Sequence, residues 1–150
     1  MALLGDLVRH LAAVALGVFF GSQLTEGLVL VPYWRALPPE EFLRWYAAND
    51  RRLLRYFGPL TTATALLALT AALVTWWEGR PALAATVVPA VIMLAIVAGF
   101  FVYFDAANKR FAAAAIPPTA VPGELARWSA WHWARTALAG IAFATALAAA

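Results

Sequence analysis

The sequence predicts an all-α, integral membrane four-helix bundle, and three observations carry that reading. Hydrophobic residues make up 64% of its 150 residues and charged ones only 13%, where an ordinary soluble domain has about 45–50% apolar and about 25% charged residues. Four apolar stretches, about 7–31, 60–77, 83–104 and 131–149, are each long enough to cross ~30 Å of hydrocarbon at ~1.5 Å per residue. Lipid gives backbone N–H and C=O groups no partner, so such spans must be helices packed on one another, and residues 1–150 read as a single domain.

The first stretch opens after Arg9 and His10 and carries Gln23 and Glu26 towards its far end. No small-residue cleavage site closes it, so it is expected to be a retained helix and not a signal peptide. Pro32-Tyr33-Trp34-Arg35 then forms an interfacial belt. Pro38-Pro39-Glu40-Glu41 opens an extra amphipathic helix between the first two spans, with Phe42, Trp45, Asn49 and Arg52 along one side, and Gly58-Pro59 is expected to break it. The second span is uncharged and rich in Ala, Leu and Thr, which suits close packing. Glu78-Gly79-Arg80-Pro81 is a tight turn, and the third span carries Pro89, expected to kink it, and Gly99, expected to make a close helix contact. It ends through Phe100, Phe101, Tyr103 and Phe104 into Asp105, Asn108, Lys109 and Arg110. After a proline-rich connection, the fourth span opens with Trp128, Trp131, His132 and Arg135, spaced by threes and fours on one helical face.

The basic residues set the expected orientation. Arg35, Arg44, Arg51, Arg52 and Arg55 follow the first span, and Lys109, Arg110 and Arg127 follow the third, against Arg9 and Arg80 on the other side. Both termini are therefore expected outside the cytoplasm, in a bacterial-type inner membrane crossed several times. A pI of about 9.8 reflects this arrangement, so nucleic acid is not an expected partner; the bilayer is. The chain has no cysteine, which removes disulfides, thiolate nucleophiles and iron–sulfur clusters.

With that orientation, Gln23, Glu26, Asn49, Arg52, Asp105, Asn108, His132 and Arg135 all fall at the cytoplasmic end, and the outer half reads as almost empty of chemistry. A carboxylate in a span costs about 2.5–3.5 kcal/mol at the bilayer centre, so the cluster points to one aromatic-lined pocket for a planar hydrophobic small molecule. Glu26, His132, Arg135 and Asn108 are the candidate catalytic residues. Gln23, Asn49, Arg52, Asp105, Trp128 and Trp131 are candidate ligand-binding residues. His132 moves a proton near neutral pH, and Arg135 with Asn108 suits a developing oxyanion. Arg44-Trp45-x-Ala47-x-Asn49-x-x-Arg52 also matches Arg127-Trp128-x-Ala130-x-His132-x-x-Arg135, a faint repeat compatible with two tandem helical hairpins. His10 and His132 sit at opposite helix ends, a poor geometry for bis-histidine haem, whereas a mononuclear metal on His132, Glu26 and Asp105 lacks the usual ligand spacing.

The segment through Glu26 to Val31-Pro32-x-Trp34, the Phe42 to Asn49 segment, Asn108, and above all Trp131-x-x-x-Arg135-Thr136 resemble the anthrone oxygenase-like membrane proteins over most of the chain. The resemblance implies a cofactor-independent oxidation of a polyketide anthrone by molecular oxygen, with no metal and no other cofactor. It implies Asn49, Asn108, Trp131 and Arg135 as the matching site positions. This sequence departs from the family pattern at His132, where Asn is the expected residue. Two other classes stay open: a small-molecule or proton-coupled membrane transporter built on Glu26, and a non-catalytic membrane assembly subunit. A homo-oligomer is compatible with each.

Overall fold

The computed structural model describes residues 2–149. Their helices are α1 (Ala2–Thr25), α2 (Val31–Ala36), α3 (Pro39–Trp77), α4 (Leu83–Gly99), α5 (Asp105–Ala112) and α6 (Val121–Leu147), with π-helical turns at Glu26–Leu30 and Phe100–Phe104 and a 3-10 turn at Pro118–Ala120. The described residues contain no strand. Because the π turns join their flanking helices end to end, four rods result: α1 with α2, α3, α4 with α5, and α6. They close into a four-sided bundle in which α1 packs on α3, α3 on α4, α4 on α6 and α6 on α1.

Local chemistry explains most boundaries. Leu37 precedes Pro38 and takes the extended conformation (φ −76°, ψ 146°) that a residue before proline prefers, so α2 stops there. Pro39, Glu40 and Glu41 occupy the first turn of α3, where a missing N–H costs nothing and carboxylates meet the positive helix end. Gly79, with φ +63°, closes α3 in the left-handed region, and the Arg80 N–H reaches back to the Thr75 carbonyl.

Several expected breaks are absent. Gly58-Pro59 does not end a helix: α3 runs unbroken for 39 residues, about 58 Å at ~1.5 Å per residue. Pro59 lies on the exposed side, where the carbonyl it fails to satisfy is not sealed in, and the Thr61 and Thr62 hydroxyls bond the Phe57 and Gly58 carbonyls. The separate amphipathic helix is thus the first half of α3. The aromatic stretch from Trp128 to Arg135 lies mid-helix in α6, because helix formation begins already at Val121. α4 continues through Pro89 without a break, and a side chain built at Gly99 would meet nothing within 4 Å, so no close contact is made there.

The bundle is inverted relative to a water-soluble one. Its buried centre is built largely of alanines, including Ala12, Ala13, Ala65, Ala68, Ala71, Ala90, Ala139 and Ala142, while Leu3, Leu7, Val14, Leu66, Leu73, Val91, Phe101, Val102 and Ile141 are exposed. Three rods, Leu3–Ala36, Pro39–Trp77 and Leu83–Ala112, are long and apolar enough to cross a membrane. The fourth falls short of that composition because its first half carries Glu124, Arg127, His132 and Arg135.

Four layers succeed one another along the axis. At one end Arg9, 2% exposed, binds Asp6 at 2.6 Å, Glu78 at 3.0 Å and the Thr75 hydroxyl at 3.3 Å, while Arg80 reaches both carboxylates. This end was expected to be almost empty of chemistry; instead it buries a guanidinium that ties α1 to the turn after α3. The alanine-rich core with Leu16, Phe19, Met93 and Ile96 follows. Beyond the polar layer described below lies an aromatic core of Trp34, Phe42, Tyr46, Phe104, Phe111 and Trp128.

Candidate functional site

The polar layer is organised by the π turn of the first rod. Pro32 has no N–H for the carbonyl four residues earlier and its ring crowds that carbonyl, a conflict that a widened turn relieves. At the head of this turn stands Glu26, 4% exposed. Its Oε2 accepts a bond from Arg135 Nη2 at 2.8 Å and lies 3.4 Å from His132 Nδ1. Its Oε1 has no protein partner among the described residues and is not sealed in. The Arg135 guanidinium lies 4.2 Å from the centre of the Phe104 ring and 5.6 Å from that of Trp128, so two aromatic faces hold it against Glu26.

His132 is fully buried, and its partners fix its proton. The Gln23 carbonyl, 3.0 Å from Nε2, can only accept; Arg135 Nη2, 3.0 Å from Nδ1, can only donate. The ring is therefore the neutral Nε2–H tautomer, with its one lone pair already taken. It stacks on Trp128 at 5.2 Å and 7°. Gly27 makes this approach possible: a Cβ there would sit 2.9 Å from His132 Nε2 and 2.9 Å from the Trp133 ring.

On the other side of Glu26, a groove of about 650 Å³ opens between α1 and α3, and Glu26 forms part of its wall. Val18, Gly21, Ser22, Thr25 and Leu30 line one side; Trp45, Asn49, Arg52, Leu53, Tyr56 and Phe57 line the other. Ser22 Oγ and Tyr56 OH bond across it at 2.8 Å. Asn49 donates to the Trp45 carbonyl at 2.8 Å and accepts from Arg52 Nη1 at 3.3 Å.

The structure therefore divides the sequence candidates. Glu26, His132 and Arg135 meet, and Glu26, Asn49 and Arg52 share the groove wall. Asn108 joins neither set directly: its Oδ1 accepts from Trp128 Nε1 at 2.9 Å, so it steadies the indole that stacks on His132. Asp105 is paired with Lys109 at 2.8 Å and stands apart. Gln23 contributes its backbone carbonyl; its side chain is 1% exposed, with Oε1 unpartnered among the described residues. Trp131 is 41% exposed and stacks on Tyr103 at 5.1 Å, away from Glu26. The aromatic residues expected to line a cavity pack on one another instead, as Trp34 does on Trp128 at 5.5 Å and Phe42 on Phe111 at 5.1 Å. Among the described residues no three His, Asp or Glu side chains are grouped to hold a metal ion, because Asp105 is absent from the Glu26–His132 pair.

Gly27, Phe104, Ser22 and Tyr56 are not among the site residues that the sequence suggests. A glycine inside a helix costs about 1 kcal/mol against alanine, and beside a buried carboxylate that cost was the available sign of a close approach. Compared with known protein families, with curated proteins and with solved structures, the chain finds no match, so the anthrone oxygenase-like resemblance rests on its own residues.

Proposed function

We propose that the protein is an integral membrane protein, with both termini on the outer face, whose α1–α3 groove receives a flat hydrophobic small molecule and whose Glu26 removes a proton from it. The apolar exterior and alanine-rich interior support the membrane setting. One observation carries the site: Glu26 is clamped through Oε2 by Arg135 while Oε1 remains unclaimed on a groove wall. Its volume lies within the roughly 300–1,000 Å³ of small-molecule sites, and Trp45, Tyr56 and Phe57 offer ring faces.

In this reading Arg135 and His132 act through Glu26. Arg135 holds one carboxylate oxygen, and His132, by accepting from the same Nη2, holds Arg135 in place, so that the other oxygen keeps a fixed direction, which is the geometric requirement of a general base. The resemblance to anthrone oxygenase-like proteins supplies the chemistry. Glu26 takes a proton from an activated ring methylene, the resulting carbanion forms a C–O bond with molecular oxygen, and the proton returns to give a hydroperoxide. That hydroperoxide loses water to leave a ring carbonyl: one CH2 and one O2 become one C=O and one H2O.

The test uses the protein in lipid nanodiscs with anthrone as substrate, following oxygen uptake and quinone absorption. Glu26→Gln is expected to abolish turnover, a loss of at least ~10²-fold for a general base, while anthrone still binds. Turnover at the wild-type rate in Glu26→Gln would remove the base from the mechanism.

A further inference from the structure

We propose that Arg52 selects the ligand of the α1–α3 groove, and that this ligand carries one negative charge, as a carboxylate or phenolate oxygen, on a hydrophobic ring skeleton. The inference rests on the groove being a ligand site and adds what that site recognises.

A count of charges along the groove comes first. Two ionisable acid–base side chains of opposite sign line it, Glu26 and Arg52. Glu26 already has its counter-ion in Arg135 at 2.8 Å. Arg52 has no carboxylate within 4.0 Å among the described residues. The groove therefore presents one uncompensated positive charge on a wall that is otherwise apolar or neutral, and an anionic group is what completes it.

Geometry agrees. Asn49 is anchored to the Trp45 carbonyl and presents its Oδ1 to Arg52 Nη1, so the guanidinium is held by one corner with its remaining N–H groups unclaimed among the described residues. Arg52 and Glu26 line the same groove, while the Ser22–Tyr56 bond crosses it nearer Val18 and Phe57. A ring seated against Trp45 and Tyr56 would offer its acidic position to Glu26 and its anionic oxygen to Arg52. The role also falls vacant elsewhere: Arg135 Nη2 is committed to Glu26 and His132, and Asn108 to Trp128. Charge that develops on the ligand oxygen when Glu26 takes its proton has Arg52 as its partner.

The experiment titrates anthracene-2-carboxylate and its methyl ester into the protein in phosphatidylcholine nanodiscs by calorimetry, with empty discs subtracted. The wild type is expected to bind the acid at least about tenfold more tightly than the ester, the usual size of one charge-assisted hydrogen bond. Arg52→Gln should bring the two within about twofold without weakening the ester, Arg52→Lys should keep much of the preference, and Arg55→Gln, a basic neighbour outside the groove, should leave it intact. Arg52 is exposed and bonds only Asn49 among the described residues, so the variant is expected to fold, as circular dichroism will show. An equal preference in wild type and Arg52→Gln, or none in the wild type, overturns the selection by Arg52 while leaving the groove as a site. Failure of both probes to bind, or undiminished binding of both to Gly21→Trp, which fills the groove, removes the site and this inference with it.

Discussion

Breaking the pair at the centre of the polar layer should be costly in a way that depends on which partner is removed. In Arg135→Met, the Glu26 carboxylate, 4% exposed, loses its 2.8 Å partner. Removing one member of a buried ion pair costs about 3–5 kcal/mol, and methionine retains part of the contact with Phe104. In Glu26→Gln the stranded group is the Arg135 side chain, 18% exposed; the amide oxygen still accepts a bond, so about 1–2 kcal/mol is expected. With both changes no charge is left unpaired, and the double variant should lose about 2–5 kcal/mol, less than the sum of the single costs by about 2 kcal/mol, a coupling of the size found between contacting residues. The assay is reversible unfolding in mixed detergent–SDS micelles, followed by tryptophan fluorescence for all four proteins. An Arg135→Met variant within 1 kcal/mol of wild type, or single costs that add to within about 0.5 kcal/mol, would refute the view that Arg135 compensates a buried carboxylate.

Glycines separate by what surrounds them. In the same assay Gly27→Ala is expected to lose about 1–2 kcal/mol, because its Cβ would press on His132 and Trp133. Gly21→Ala, whose Cβ meets nothing within 4 Å, should gain about 0.5–1 kcal/mol of helix stability; the opposite order would sink the close-approach argument. For topology, alkaline phosphatase fused at either terminus should be active and a fusion near Pro118 inactive, as the distribution of Lys and Arg requires. An active fusion at Pro118 would turn the groove to the other face.

Helix existence was legible because apolar runs of this length have few alternatives, but where each helix turns its faces was less so. Eight residues of regular α-helix separate Glu26 from Trp34, a rotation about 80° beyond whole turns, so periodicity places Leu30 and Tyr33 on the face of Glu26. The π turn absorbs one residue, and Val31 and Trp34 are buried there instead, while Tyr33 is 45% exposed. Proline rules also misled at Pro59, since an exposed proline in an apolar helix leaves no buried carbonyl unsatisfied. Arg9 was read as a topology signal although it shares the three-and-four spacing of Ala12, Leu16, Phe19, Gln23 and Glu26, all but Leu16 and Phe19 being small or polar and all buried. Its partner Glu78 lies in a turn 69 positions away, and such a pairing is invisible until the rods are assembled. The meeting of Glu26, His132 and Arg135 was partly legible, because their type and position imply mutual need; the Asn108–Trp128 bond was not, because an asparagine offers a donor and an acceptor to any neighbour.

The widened turn after Thr25 makes this stretch unequal in its response to changes of length. It holds a surplus residue, so deletion of one position among residues 28–30 would shorten the rod by ~1.5 Å and restore regular winding without altering which side chains beyond it face inward. Val31 and Trp34 would keep their seats. An added residue has no such refuge and would swing Trp34 by about 100°, out of its contacts with Phe42, Tyr46 and Trp128. A chain one residue shorter in the middle of this helix is therefore expected to build the same aromatic core.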